Sequence, residues 1–166
     1  MKNVVVTGMG IVSCIGSNLQ EVLSNLREGK SGISKNPTYE EMGFRSHISG
    51  SVNIDLSELI DRKILRFMSE AAGFGYIAAQ EAIINASLSL EEMNTSRIGI
   101  VAGSGGASPA AQIEASDTAR ERGPKRIGPY AVTKTMGSTV SAILGTTLKL
   151  KGVNYSISSA CSTSAH

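Results

Sequence analysis

The chain has 166 residues, of which 41% are hydrophobic and 18% charged, and its formal net charge is +2. This composition is typical of a globular protein and excludes a disordered or fibrous chain, while so small a charge gives no reason to expect nucleic acid as a partner. No apolar run approaches the roughly 20 residues that cross a bilayer, and glycines interrupt the apolar N-terminal stretch where a signal peptide would continue, so we expect a cytoplasmic protein with no membrane partner.

The first third of the chain predicts one strand and one helix before a polar stretch. Val4–Thr7 is a β-branched run closed by glycine, which predicts a buried strand. Apolar residues at helical spacing in LQEVLSNLRE predict a helix with Ser17 or Asn18 as its N-cap and Gly29 at its end. The polar stretch that follows predicts irregular structure with short strands over residues 48–52.

The rest of the chain alternates helix and strand patterns. Five elements are predicted there: a long helix Asp61–Ala86, a strand Arg97–Ala102, a helix Pro109–Arg120, a buried helix Val132–Leu148 and a strand Val153–Ser158. This alternation predicts an α/β fold. Without an internal repeat or a low-complexity segment, residues 1–166 are interpreted as part of one domain.

The stretch TGMGIVSCIG resembles a dinucleotide-binding turn, because Gly8 and Gly10 stand between a predicted strand and a helix. A dinucleotide fingerprint also needs a third small residue, where Ser13 stands, and an acidic residue at the end of a second strand about 20 positions later. The sequence supplies no such strand. We therefore interpret these glycines as a turn and expect neither NAD nor any other cofactor.

Cys161 stands in a different setting, among small and hydroxyl residues directly after the last predicted strand. The composition of CSTSAH favours the start of a helix, where unpaired N–H groups and the helix dipole stabilise a thiolate. The same N–H groups can hold an oxyanion formed on an attacked thioester. On spacing alone, a buried structural cysteine is an equal alternative. Cys14 lies in a turn-rich segment and is interpreted as structural.

Five blocks in order carry a resemblance to a known family: VVVTGMGIVSCIG, IDRKILRFMS, VAGSGGASP, GPYAVTKTM and GVNYSISSACSTSAH. Together they resemble the N-terminal part of a beta-ketoacyl-acyl-carrier-protein synthase, most closely the type I branch of bacterial fatty-acid synthesis. The resemblance implies a thiolase-like fold, in which two α/β halves form a layered αβαβα architecture. This chain would supply an incomplete N-terminal half that ends at the start of the nucleophile helix.

The same resemblance implies a decarboxylative Claisen condensation. Cys161 would be the nucleophile, taking an acyl chain from its carrier protein, and its backbone N–H would also donate to the oxyanion. The enolate formed from malonyl-carrier protein would then attack the acyl-cysteine. No metal is implied. The family's catalytic histidines and lysine match no residue of this sequence, so His47 and His166 are interpreted as structural and this stretch alone is expected to be inactive.

Basic residues are predicted to bind the acidic carrier protein. The resemblance assigns this role to five of them: Arg62, Lys63, Arg66, Lys125 and Arg126. Arg62 and Arg66 share a helix face, and complementary charge steers docking. An ordinary solvated face is an equal alternative for each of them, and the sequence around Lys125 and Arg126 departs from the family pattern.

Two further assignments follow from the resemblance. Gly106, Thr135 and Met136 would line the acyl pocket, with Gly106 leaving room for the chain and the other two contributed by a partner subunit. The strand 153–158 would join two copies in a homodimer. As bare sequence these segments are a turn, a buried helix and a strand.

Alternatives stay open at this point. Within the same fold, the sequence also fits a type II synthase or a thiolase-type acyltransferase. Outside enzymes, it fits a non-catalytic remnant that dimerises or binds carrier protein. The reading frame beyond His166 distinguishes them, because the enzyme requires two histidines in glycine-rich turns.

Overall fold

The computed structural model describes residues 3–106 and 108–166, so the first two residues and Ala107 of the glycine-rich motif lie outside the described residues. The described α-helices, numbered in chain order, are α1 Leu19–Arg27, α2 Pro37–Glu41, α3 Leu56–Leu59, α4 Arg62–Leu65, α5 Glu70–Asn85, α6 Leu90–Met93, α7 Pro109–Arg122, α8 Ala131–Thr135 and α9 Thr139–Thr147. The described strands are β1 Ser34–Lys35, β2 Ile48–Ser49, β3 Ile100–Gly103 and β4 Asn154–Ile157. Short 3₁₀ helices cover Pro124–Arg126 and Thr163–Ala165.

The chain forms two compact units. One contains the residues up to Asp55 together with Ile77–Ser87, and the other contains Leu56–Tyr76 with Leu88–His166. Every residue to which the sequence analysis gave a functional role lies in the second unit.

In the first unit, α1 forms where its capping residues predicted it. The Asn18 side chain accepts a hydrogen bond from the Glu21 backbone N–H at 3.0 Å, which satisfies a donor that the helix itself leaves unpaired. The helix ends in a turn at Gly29, whose φ is +64°. Strands β1 and β2 pair antiparallel, with Ser34 opposite Ser49.

The predicted strand Val4–Thr7 is wrong, because the structure places no strand there. Val4 is 96% exposed and Val6 80% exposed. A β-branched run becomes a strand only where a neighbouring strand accepts its backbone hydrogen bonds, and no described strand pairs with this segment. The glycine-rich continuation lies instead against α5, where a Cβ on Gly10 would collide with the backbone of Ala78.

A single carboxylate fixes this continuation to α1. Half-buried Glu81, on α5, accepts a hydrogen bond from the Ile11 N–H at 2.9 Å through one oxygen. Its other oxygen accepts from the Leu19 N–H, in the first turn of α1, at 2.8 Å. Both oxygens of Glu81 are thus used to satisfy backbone donors.

We expect Glu81→Gln to lower the free energy of unfolding by about 1–3 kcal/mol, because an amide offers one acceptor oxygen and leaves one of the two part-buried N–H groups without a partner. Urea unfolding of the protein expressed from its complete reading frame measures the change. Glu41→Gln, at an exposed position in α2, is the matched control and should lie within about 0.5 kcal/mol of wild type. Equal stability of the two variants would contradict the assigned role of Glu81.

In the second unit, β3 and β4 form a parallel pair with Ile100 opposite Asn154 and Gly103 opposite Ile157. β4 lies within the predicted range Val153–Ser158, and β3 overlaps the predicted range Arg97–Ala102 but ends one residue beyond it, at Gly103. The Asn154 side chain donates to the Ser141 carbonyl on α9 at 3.1 Å. This bond fixes the strand that leads to Cys161 against a helix.

Two helices predicted as continuous are each broken. The helix predicted over Asp61–Ala86 stops after α4 and restarts at α5, because the intervening turn buries Met68 to 4% exposure. The helix predicted over Val132–Leu148 breaks between α8 and α9, where the hydroxyl of buried Thr139 donates to the carbonyls of Met136 and Thr133. In both cases tertiary packing overrides a continuous helical pattern.

Candidate functional site

Cys161 lies in a tight turn directly after β4. Ala160, the residue before it, has φ +46°, a left-handed conformation that costs an alanine about 1–2 kcal/mol. The Ser162 N–H donates to the Ser159 carbonyl at 3.0 Å, and the Thr163 N–H donates to the Ala160 carbonyl at 3.2 Å. These bonds close the turn and hold the backbone on both sides of Cys161.

The helix predicted to start at Cys161 is formed differently. A 3₁₀ turn begins two residues later, at Thr163. The Thr163 hydroxyl accepts from the Ser159 N–H at 2.9 Å and donates to the Ala160 carbonyl at 2.8 Å. Such side-chain bonds compete with the α-helical pattern. Cys161 is exposed, whereas Cys14 is half-buried.

The glycine-rich segment after β3 approaches this turn closely. A Cβ on Gly105 would stand 2.7 Å from the carbonyl oxygen of Ala160, so only glycine fits there without a shift. Gly106, the predicted pocket residue, faces open space, because a Cβ built on it meets nothing within 4 Å. The structure thus brings together the described parts of two motifs that lie about fifty residues apart in the sequence.

An apolar cavity of about 300 Å³ lies between α4, α8 and α9. Its lining is hydrophobic or threonine apart from one lysine: Lys63, Ile64, Phe67, Thr133, Met136, Thr139, Ala142, Ile143, Thr146 and Thr147. A volume near 300 Å³ is at the lower end of the range for small-molecule sites.

The threonines do not make this cavity polar, because their hydroxyls are bound to the backbone. Thr133 donates to the Tyr130 carbonyl at 2.9 Å, and Thr146 and Thr147 donate to carbonyls one turn earlier in α9, each at 2.7 Å. Thr139 makes the two bonds at the break before α9. With the hydroxyl protons used in this way, the threonines leave a lining suited to a hydrocarbon chain.

Of the predicted pocket residues, only Met136 lines this cavity. It is 43% exposed. Thr135 is half-buried and donates its hydroxyl to the Val132 carbonyl at 3.0 Å, and neither it nor Gly106 is part of the lining. Met136 is therefore the predicted pocket residue that this cavity accounts for, and Gly106 follows Gly105, which approaches Ala160.

The five predicted docking residues are all exposed, on α4, in the turn that follows it, and on the 3₁₀ helix Pro124–Arg126. Arg66 differs from the others because its guanidinium has a defined partner. It donates to the Tyr130 hydroxyl at 3.0 Å, which links the turn after α4 to the segment four residues beyond Arg126.

Sequence reasoning missed Phe67, Tyr130 and the cavity threonines. Phe67 and Tyr130 meet edge to face with ring centroids 4.9 Å apart. Both lie in blocks that carried the family resemblance, RFMS and GPYAVTKTM, but no spacing rule pairs residues 63 positions apart. Within residues 3–106 and 108–166, no group of three or more His, Cys, Asp or Glu could hold a metal ion, and no helix is long and apolar enough to span a membrane.

Comparison with known sequences gives consistent results. A family model described as beta-ketoacyl synthase, N-terminal domain, matches residues 1–166. The 3-oxoacyl-[acyl-carrier-protein] synthase 1 of Escherichia coli K12 is 54% identical across the whole chain, which covers 41% of that protein. The 3-oxoacyl-[acyl-carrier-protein] synthase 2 of Vibrio harveyi is 33% identical across 99% of the chain, which covers 40% of that protein. The chain therefore spans about two fifths of the length of these relatives.

A solved structure supports the same family. The crystal structure of a beta-ketoacyl synthase from Burkholderia phymatum STM815 matches 99% of the chain with a TM-score of 0.81 and 25% sequence identity, over 41% of that protein. This likeness confirms the predicted α/β class and thiolase-like fold.

Proposed function

Because this chain belongs to the beta-ketoacyl synthase family, we propose that its protein condenses an acyl group held on acyl carrier protein with malonyl-carrier protein, in fatty-acid elongation. The observation that carries the proposal is the exposed thiol of Cys161 on a strained turn against the glycine-rich segment. The type I branch is favoured over type II, because relatives named synthase 1 reach 54% identity and a relative named synthase 2 reaches 33%.

The reaction assigns one step to the residues of this stretch. The Cys161 thiolate attacks the thioester carbonyl of the acyl carrier, forms a new carbon–sulfur bond and releases the carrier's thiolate, which takes up a proton. Malonyl-carrier protein then loses carbon dioxide, and the electron pair of the broken carbon–carbon bond remains as an enolate, which attacks the acyl-cysteine. A carbon–carbon bond forms, the Cys161 thiolate leaves, and the product is a 3-oxoacyl carrier two carbons longer.

Cysteine suits this step because its thiolate is both a strong nucleophile and a good leaving group. The acyl transfer passes through an oxyanion, for which we assign the Cys161 backbone N–H as one donor. The turn supports this role, because bonds from Ser162 and Thr163 hold its backbone on one side and β4 holds it on the other.

We propose that the acidic carrier protein binds to five basic residues: Arg62, Lys63, Arg66, Lys125 and Arg126. Their exposure supports the assignment, as does the acyl carrier protein in the names of the relatives. Rim charges of this kind act chiefly on the association rate, so the rate of acylation from carrier protein should fall with added salt. A cytoplasmic location and a homodimer through β4 complete the proposal.

The turnover assay is the direct test. The protein expressed from its complete reading frame is incubated with octanoyl-carrier protein and malonyl-carrier protein, and carbon dioxide and the 3-oxoacyl product are measured. The proposal requires both products in equal amounts. A thiolase-type acyltransferase would form product without malonyl groups or carbon dioxide, and a non-catalytic remnant would form neither.

A larger side chain at Gly106 should restrict the acyl chain without disturbing the fold. Gly106→Ile places its side chain in open space at a backbone that does not need glycine. We expect acetyl transfer to Cys161 to stay within about twofold of wild type, while octanoyl transfer falls by at least about fivefold, because overfilling a pocket costs about 1–3 kcal/mol. Intact mass spectrometry of the acyl adduct measures both rates.

Gly106→Ala is the matched control, since it adds one methyl group at the same position, where a Cβ meets nothing within 4 Å. If the Gly106→Ile variant transfers octanoyl groups as well as Gly106→Ala does, Gly106 does not border the acyl chain.

A further inference from the structure

Arg66 is held at two points. Its Nε donates to the Lys63 carbonyl at 3.2 Å, which folds the side chain back on α4. Its Nη1 donates to the Tyr130 hydroxyl at 3.0 Å. The guanidinium carbon lies 5.5 Å from the centre of the Tyr130 ring and 6.0 Å from that of Phe67, both within cation–π range. No carboxylate of the described residues forms an ion pair with Arg66. Its contacts are therefore to a backbone carbonyl and to aromatic side chains.

Tyr130 occupies the N-cap position of α8. Its carbonyl accepts from the Lys134 N–H at 3.1 Å and from the Thr133 hydroxyl at 2.9 Å, which are the bonds that start this helix. Helix α8 also packs on α7. The side chain of Tyr130 adds a second attachment at the start of α8, which links it to the turn after α4.

The contact reaches the cavity through both partners. Phe67, next to Arg66, lines the cavity and packs edge to face on the Tyr130 ring at an interplanar angle of 85°. Thr133, on the helix that Tyr130 starts, lines it too, as does Met136 directly after that helix. The Arg66–Tyr130 contact therefore joins two of the elements that border the cavity.

We propose that Arg66 and Tyr130 form a clamp that positions α8, and that this clamp sets the length of acyl chain the cavity accepts. Arg66 is then a positioning residue, acting through Tyr130, in addition to its charge. This inference rests on the proposed function, because the occupant of the cavity is taken to be the far end of an acyl chain. A threonine-methyl and aliphatic lining fits hydrocarbon and offers an acyl chain no polar competitor.

Arg66→Lys separates the clamp from a docking charge. Lysine keeps the positive charge but lacks the planar fork that spans the Lys63 carbonyl and the Tyr130 hydroxyl. Tyr130→Phe removes the hydroxyl and keeps the ring. We expect each variant to change the ratio of octanoyl to dodecanoyl transfer to Cys161 by about two- to tenfold in the same direction, the range for one partly exposed hydrogen bond. The double variant should change it no further than either single variant.

Arg120→Lys is the control, an exposed arginine on α7 whose one ion pair, with Asp117, is also exposed. Its chain-length ratio should equal that of wild type. The clamp is overturned if Arg66→Lys and Tyr130→Phe keep the wild-type ratio. It is also overturned if Arg66→Ala raises the KM for carrier protein equally at every chain length while Tyr130→Phe has no effect, because Arg66 would then act only as a docking charge.

A second measurement needs no substrate. Urea unfolding of wild type, Arg66→Lys, Tyr130→Phe and the double variant should give a non-additive cycle, since the two side chains touch. An additive double-mutant cycle would contradict the proposed clamp even if the enzyme is active. Wild-type protein could form no acyl adduct while the double-mutant cycle of unfolding free energies is non-additive. That result would refute the proposed function and the role of the clamp in chain length, but it would confirm the contact between Arg66 and Tyr130.

Discussion

Cys161→Ala is expected to abolish both acylation and condensation. With an octanoyl thioester, wild-type protein should gain one octanoyl group per chain and the variant none. Condensation should fall by about 10⁴-fold or more, the scale on which removal of a catalytic nucleophile acts. The physical reason is that Cys161 is the one thiol on the turn against the glycine-rich segment, and the hydroxyl side chains beside it are weaker nucleophiles. Intact mass spectrometry and the turnover assay measure the two effects.

Cys14→Ala provides the control, because the chain has only two cysteines. Cys14 is half-buried, and a Cβ on Gly32 would stand 2.8 Å from its sulfur, so its contacts are those of a packed residue. This variant should keep the adduct at Cys161 in full. An adduct that survives Cys161→Ala and disappears in Cys14→Ala would show that Cys14 is the nucleophile. That result would overturn the proposed mechanism.

The sequence predicted those elements of the fold that are determined locally. Helix α1 has a capping asparagine and a glycine at its end, β4 lies within its predicted range, and β3 ends one residue beyond its own. The strand predicted at Val4–Thr7 failed, because a strand depends on a neighbour that the described residues do not supply. The predictions of two continuous helices failed for a related reason. The breaks depend on burial of Met68 and on the two hydrogen bonds of the Thr139 hydroxyl, and both arise only in the folded chain.

The candidate site divides in the same way. Cys161 was identified from a contiguous motif, and the glycine-rich segment from another, so both could be named without a structure. The contact of Arg66 with Tyr130 joins residues 64 positions apart, and no periodic pattern links them. From the sequence, the threonines that line the cavity are polar residues. Only the hydrogen bonds from their hydroxyls to backbone carbonyls show that the space they line is apolar.

The edge of β4 that faces away from β3 supports the proposed homodimer contact. Within the described residues β4 pairs with β3 alone, so its other edge has no strand beside it. An unpaired edge presents N–H and C=O groups to which a strand of a second copy can add. Val153, just before β4, is 57% exposed and Tyr155 is 62% exposed. We therefore place the proposed homodimer contact at this strand.

The hydrogen-bonding direction of β4 identifies the residue to change. The Ile100 N–H donates to the Val153 carbonyl at 2.8 Å, and Ile100 stands opposite Asn154 in the parallel register. Backbone groups of successive strand residues point to alternate sides. The backbone groups of Tyr155, like those of Val153, therefore face β3. The backbone N–H of Ser156 points to the other edge of β4, which no described strand occupies.

Ser156→Pro should accordingly separate the two copies while leaving the pairing of β3 with β4 intact. Proline removes only the outward N–H, and proline is tolerated at such an edge. By two-fold symmetry two carbonyls across the interface lose their donor, at about 1–3 kcal/mol each, which weakens the dimer by at least about thirtyfold. Analytical ultracentrifugation of the protein from its complete reading frame measures this, with Ser156→Ala as the control that keeps the N–H and should remain dimeric. If the proline variant is folded by circular dichroism and still dimeric at the dilution where wild type begins to dissociate, β4 is not the contact and the exposed apolar surface around it is covered by something other than a second copy.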